Sequence, residues 1–290
     1  MSYAVAMECA LPMPLVSTEW LANNIDAVQL RIIDASWYLP AEQRDSAAEF
    51  AQQHVPGALF FDIDRICDRH SELPHMAPDT DAFATAVSRL GINSDDRIVV
   101  YDTAGLFSAA RVWWLFRLMG SASVAVLDGG LPKWLAEARP TDAGDMPIPS
   151  ARFDAVLRAQ HVCDRHAVAA ALRTGSAQVV DARPAARFAG LAPEPRAGLS
   201  PGHMPGAKQV FFKSLLADDG TLLPVDALRR VFGAAGVDLA APIITSCGSG
   251  VTAAVLSLAL EVLGHRDHAL YDGSWSEWAA TPGCEIIIDG

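Results

Sequence analysis

His54-Val55-Pro56-Gly57-Ala58 and, 149 residues later, His203-Met204-Pro205-Gly206-Ala207 are two versions of one pentapeptide, and a Phe-Phe pair follows each, at 60–61 and 211–212. Working outward, Ile32-Ile33-Asp34-Ala35 returns as Val179-Val180-Asp181-Ala182. Ile98-Val99-Val100-Tyr101-Asp102 returns as Ile243-Ile244-Thr245-Ser246-Cys247. Leu127-Asp128-Gly129-Gly130 with Trp134 returns as Tyr271-Asp272-Gly273-Ser274 with Trp278. One match at such a distance would mean little, but four matches in the same order at nearly constant offset mean duplication. The chain reads as two copies of one domain: 1–138, a linker over 139–153 rich in Pro, Gly and Asp, and 154–290.

Within each copy, short β-branched runs alternate with helix-like stretches. The strands are expected at 29–33, 97–101 and 123–127 in the first copy, and at 178–180, 242–246 and 268–271 in the second. Helices are expected at 82–90, 109–119, 164–173, 225–232 and 251–263. Apolar strands alternating with helices predict an α/β fold, each copy a parallel sheet flanked by helices.

With 51% hydrophobic and 19% charged residues, the 290-residue chain can bury a core in each copy and is not of disordered composition. A formal net charge of −12 argues against nucleic acid or an anionic membrane as partner. It leaves room for a small anionic substrate, because a local group of arginines overrides the global sign. The N-terminal residues lack the features of a signal or transit peptide, and the apolar run 251–263 is too short to span a bilayer. The five cysteines, at 9, 67, 163, 247 and 284, form no Cys-x-x-Cys pair, which fits a reducing, cytoplasmic setting and no zinc site.

Cys247 stands between a strand pattern and an apolar helix, in Cys247-Gly248-Ser249-Gly250-Val251-Thr252. Glycines there let the backbone turn tightly, so that several N–H groups converge at a helix N-terminus and stabilise an anion. A thiol in such a nest loses its proton more readily, with pKa values falling to roughly 3.5–7.5, and becomes a nucleophile. The plain alternative, a buried structural cysteine, does not explain the flanking Gly-Ser-Gly. The first copy has Asp102 at this position, a poor sulfur nucleophile, so only the second copy is expected to be catalytic. A phosphatase loop would need an arginine six residues after the cysteine, where Ala253 stands. By itself the loop indicates an activated thiolate and no particular substrate.

These residues, with His54 to Asp64, Val112-Trp113-Trp114, Arg187-Phe188 to Glu194-Pro195-Arg196, Gly202 to Ala207 and Tyr271 to Trp275, resemble the rhodanese superfamily, and within it the mercaptopyruvate sulfurtransferases, over nearly the whole chain. Thiosulfate-preferring members carry basic residues after the cysteine, whereas Gly248-Ser249 leaves this loop uncharged. The resemblance implies transfer of sulfane sulfur from 3-mercaptopyruvate, through a Cys247 persulfide, to a thiol acceptor such as thioredoxin or a small thiol, or to cyanide. No metal or organic cofactor is implied.

The resemblance also assigns the substrate carboxylate to Arg187 and Arg196, whose fork geometry suits a carboxylate; the alternative is a pair of surface arginines. It places Gly248, Gly250, Val251 and Thr252 around the substrate, and Ser249, His75 and Asp64 in a proton relay crossing between the copies. His75 and Asp64 could instead merely hydrogen-bond the loop 62–78. Thr252 is expected to cap its helix, or else touch the persulfide. His54 and His203 occur in both copies, as do the aspartates at 34, 181, 128 and 272, and are read as structural. Trp113, Trp114, Trp275 and Trp278 are read as core or interface. Cys9, Cys67, Cys163 and Cys284 lack glycine nests and are read as incidental, with a regulatory disulfide among them left open. Two rival readings stand: thiosulfate sulfurtransferase, and a non-enzymatic sulfur carrier or redox-binding module.

Overall fold

The computed structural model describes residues 10–144 and 148–289; Cys9 lies outside them. The first half contains β1 (Leu15–Val16), α1 (Thr18–Asn24), β2 (Leu30–Asp34), α2 (Ser46–Gln52), β3 (Ala58–Phe60) and α3 (Thr80–Arg89). β4 (Arg97–Tyr101), α4 (Ala109–Leu118), β5 (Val124–Leu127) and α5 (Gly130–Ala136) complete it. The second half repeats the pattern with β6 (Val162–Cys163), α6 (Arg165–Thr174), β7 (Gln178–Asp181), α7 (Ala185–Phe188) and β8 (Lys208–Gln209). It ends with α8 (Val225–Ala234), β9 (Ile243–Ser246), α9 (Ala253–Val262), β10 (His268–Tyr271) and α10 (Ser274–Trp278).

The two sheets have orders β1-β5-β4-β2-β3 and β6-β10-β9-β7-β8, and every strand pairing is parallel. The orders are identical once the second set is renumbered, so the duplication in sequence is a duplication in topology. The six strands expected from sequence are the three central strands of each sheet. The four edge strands, β1, β3, β6 and β8, are only two or three residues long and leave no periodic signal. β2 starts at Leu30, since Gln29 takes a left-handed φ of 63°.

β4 and β9 lie at the centre of their sheets, and α4 and α9 follow them. Both helices are apolar nearly all round and buried along almost their entire length, as such helices must be. They pack against each other across the domain junction, and one continuous core joins Trp113 and Phe116 of the first half to Val255 and Leu258 of the second. The described residues of the predicted linker run back over the first domain. Asp142 bridges to His54, and Phe153 packs edge-on against Phe83 and Phe116. The repeated histidines are alike in both halves. His54 stacks on Phe50 with Nδ1 2.7 Å from the Phe50 carbonyl, and His203 stacks on Phe188 with Nδ1 2.9 Å from the Phe188 carbonyl. Trp113, Trp114, Trp275 and Trp278 are all buried. Among the described residues no helix is long and apolar enough to cross a membrane.

Candidate active site

In parallel α/β sheets, ligand sites form beyond the carboxyl ends of the strands. The two loops there, after β4 and β9, differ in what fills them. Helices α1, α2, α3 and α6 are capped by Ser17, Asp45, Asp79 and Asp164, each accepting from a backbone N–H of the first turn. α4 and α9 have no such cap. In the first domain Asp102 supplies the missing acceptor. Its Oδ1 accepts from Ala104 N at 2.9 Å, and its Oδ2 accepts from Phe107 N at 2.7 Å and Ala109 N at 2.8 Å. Burial raises the Asp102 pKa, and the amides of Ala109, Phe107 and Ala104 oppose that rise. This loop is therefore an anion nest occupied by its own carboxylate.

In the second domain Cys247 stands in Asp102's place, and Ser249 and Thr252 correspond to Ala104 and Phe107. Gly250, like its counterpart Gly105, has a left-handed φ (77° and 96°). The amides of Ser249 and Thr252 have no acceptor among the described residues, so the nest is open towards the thiol side. Its shape is set from below. Trp275 N donates to the Cys247 carbonyl at 3.0 Å, and Ser276 donates to the Gly248 carbonyl from both N (2.9 Å) and Oγ (2.7 Å). Cys247 N in turn donates to Ser274 Oγ at 3.2 Å. Thr252 occupies the N-cap position but with helical backbone angles and no capping bond from its side chain. The expected capping role is thus corrected: its hydroxyl is not engaged with the helix, and the residue lines the cavity instead.

Cys247 is 2% exposed and meets a cavity of about 600 Å³ between the domains. Gly248, Ser249, Val251, Thr252, Arg187 and Arg196 line it from the second domain, and Trp37 and Phe107 from the first. An aromatic series, Trp37 on Phe107 (6.0 Å between centroids) and Phe107 on Phe212 (5.6 Å), closes one side across the junction. Gly250, His75 and Asp64 stand behind this lining.

The two arginines are not equivalent. Arg187, on the single-turn α7, donates to Glu194 through Nε at 3.2 Å and through Nη2. Glu194 also accepts from Arg183 Nη1 at 2.8 Å. Arg183 is itself buried, clamped on Asp181 and stacked over Trp275 at 4.3 Å. Arg187 is thus held by a fixed carboxylate that takes up part of its charge. Arg196 has no carboxylate in ion-pair contact among the described residues. Burial pulls its pKa down, partly opposed by the Cys247 charge. It is the less compensated of the two arginines.

Arg196 Nη2 lies 3.2 Å from His75 Nε2. A guanidinium only donates, so that nitrogen of His75 carries the lone pair and Nδ1 carries the proton. His75 Nδ1 is 3.0 Å from Asp64 Oδ1, and Trp37 Nε1 donates to Asp64 Oδ2 at 2.9 Å. The His75 contact, against the opposing effect of burial, holds the Asp64 carboxyl below the usual range. Of the expected relay, Asp64 and His75 lie within ion-pair distance. No hydrogen bond joins Ser249 to His75 among the described residues, and Arg196 lies on the His75 nitrogen that faces away from Asp64. Sequence reasoning missed the anchoring role of Glu194 and Arg183. The signal was a glutamate two residues before Arg196, in a stretch already singled out. Nothing in the sequence pointed to Trp37.

Comparison with known proteins agrees with this architecture. The model of the rhodanese-like domain matches residues 17–137 and again 164–281. A 3-mercaptopyruvate sulfurtransferase of Escherichia coli K12 is 44% identical over 266 residues, covering 91% of this chain and 94% of that protein. A thiosulfate sulfurtransferase of Bos taurus is 41% identical over 271 residues, covering 91% of each. The crystal structure of a 3-mercaptopyruvate sulfotransferase from Escherichia coli superposes with a TM-score of 0.85 at 41% identity, covering 91% of this chain and 99% of that one. The chain belongs to the rhodanese family and carries the family's domain twice.

Proposed function

We propose that this protein is a sulfurtransferase that takes sulfur from 3-mercaptopyruvate onto Cys247 and passes it to a thiol or to cyanide. The observation that carries the reading is a buried cysteine in an open amide nest, facing a cavity that Arg187 and Arg196 line. Arg196 and the remaining donors of Arg187 hold the substrate carboxylate and neighbouring carbonyl. The Cys247 thiolate attacks the substrate sulfur and the carbon–sulfur bond breaks. The electron pair goes to carbon as the enolate of pyruvate, and the proton from the substrate thiol ends on that carbon. Cys247 is left as a persulfide anion against the nest amides. A carboxylate that draws Arg196 to itself frees His75 Nε2, and Ser249, His75 and Asp64 can then handle that proton. An acceptor thiolate or cyanide then attacks the outer sulfur and regenerates Cys247.

Overall identity does not separate the donors, since relatives named for mercaptopyruvate and for thiosulfate are similarly close. The loop does. Gly248 and Ser249 add no charge, and Glu194 offsets Arg187, which suits a monocarboxylate better than a dianion. Measuring kcat/KM for both donors tests this: mercaptopyruvate is expected to be preferred at least tenfold, and a preference for thiosulfate would overturn it. Unchanged pyruvate release by Arg187→Ala would mean that Arg187 does not hold the substrate carboxylate. A cytoplasmic location is part of the proposal, supported by the free Cys67, Cys163, Cys247 and Cys284, and cell fractionation checks it.

A further inference from the structure

One fully buried arginine crosses the domain junction without belonging to the cavity. Arg111, on α4 of the first domain, is fully buried. Its Nη1 is 2.6 Å from Asp272 Oδ1 and donates to the Gly250 carbonyl at 3.4 Å. Its Nη2 donates to the His75 carbonyl at 2.5 Å, and its guanidinium lies 4.4 Å from the ring centroid of Trp114. Asp272 also reaches back across the junction, its Oδ2 accepting from Ala77 N at 2.7 Å. One guanidinium therefore ties together the glycine of the Cys247 loop and the backbone of His75. His75 itself takes a left-handed φ of 60°, a conformation that persists in a non-glycine residue only where its surroundings impose it.

The duplication offers an internal control. The Asp272 contact has a counterpart: Asp128, its partner in the repeat, accepts from Leu222 N at 2.7 Å, just as Asp272 accepts from Ala77. Arg111 has none. At the register that aligns Asp102 with Cys247 and Gly105 with Gly250, its counterpart on α9 is Leu256, an apolar residue of the shared core. In the inert copy Gly105 meets Gly220 instead, where an added Cβ would lie 3.2 Å from the Gly220 Cα. The Arg117–Glu261 pair, at 2.8 Å, also joins the domains on one side alone; Arg111 differs from it in touching the Gly250 and His75 carbonyls. It is found on the side where the loop carries the cysteine.

We propose that Arg111 is a positioning residue that fixes the Cys247 loop and the His75 segment relative to each other across the domain junction. The proposal rests on the reading of Cys247 and His75 as parts of one site. Arg111→Lys tests it, because an ammonium can pair with Asp272 but lacks the planar fork that also spans two carbonyls. Amide hydrogen exchange of folded Arg111→Lys is expected to rise about tenfold in residues 72–78 and 248–252 together, with the sheets unchanged. Its kcat is expected to fall about 100-fold, with KM within threefold, since Arg187 and Arg196 are untouched. Leu256→Ala is the control for a merely weakened junction: a lower unfolding midpoint with kcat within twofold of wild type. Arg111→Gln, which removes the charge as well, should show the same pattern more strongly. Wild-type exchange in both loops of folded Arg111→Lys would overturn the positioning role. Lack of sulfurtransferase activity in the wild type would instead overturn the proposed function, and the exchange result would still decide the positioning.

Discussion

Glu194 shows how much one buried carboxylate decides. It holds Arg187 at the cavity wall and Arg183 beneath it. Glu194→Gln takes the carboxylate from Arg187 and leaves Arg183 with Asp181 alone, and removing one partner of a buried ion pair costs up to about 3–5 kcal/mol. The expected outcome is an unfolding free energy from urea titration that is lower by that order, and a raised KM for mercaptopyruvate, as Arg187 loses its fixed orientation. Unchanged KM would mean that Arg187 does not meet the substrate. At this scale the sequence was partly legible. Cys247, Arg187 and Arg196 were found and do share one cavity. That Arg187 is half neutralised, that Arg196 sits on His75, and that Arg111 exists as a strut could not be read. Those facts depend on which side chains from distant segments meet, and no local pattern encodes them.

At the level of elements, the loop between β9 and α9 is the part that must keep its shape. A Cβ on Gly250 would lie 2.8 Å from Arg111 Nη1 and 3.0 Å from the Asp272 carbonyl, at a φ that L-residues rarely adopt. Gly250→Ala is therefore expected to cost about 1–3 kcal/mol in backbone strain and to lower kcat by at least tenfold. Gly206→Ala is the comparison. Gly206 also has a left-handed φ, but nothing lies within 4 Å of an added Cβ. It should lose about 1 kcal/mol of stability and keep its kcat. If both variants retained full activity, the loop geometry would not matter for the chemistry. The strand–loop–helix frame of this element was legible because Gly and Ser interrupt two apolar runs. The start of α9 was not: the apolar pattern continues through Val251, yet the helix begins at Ala253, since the backbone of the preceding residues forms the nest.

For the whole molecule, the shared core of α4 and α9 makes the two domains one folding unit. Trp113 and Trp114 on one side and Trp275 and Trp278 on the other should report coincident urea transitions when single-tryptophan variants are compared. Two separated transitions would contradict this. Acid should loosen the same junction. His161 and His268 lie near Arg117, and burial first, then neighbouring positive charge, lowers each pKa to about 4. In the unfolded chain they titrate near 6.5, so between these values the unfolded state binds protons that the folded state refuses. Stability is thus expected to decline as pH falls from about 6.5 towards 4. His268→Asn should flatten that decline in urea midpoints measured between pH 7.5 and 5. The fold at this scale was the most legible feature, because duplication is visible without any contact being known. The paired helices that fuse the halves were visible only as unusually apolar segments.

The central claim is that Cys247 itself carries the sulfur. Incubating the protein with 3-mercaptopyruvate, removing the donor and weighing the intact chain tests it most directly. The account predicts the mass of one added sulfur atom, released by cyanide or a thiol and absent from Cys247→Ser. No added sulfur, or sulfur that still loads in Cys247→Ser, would contradict it.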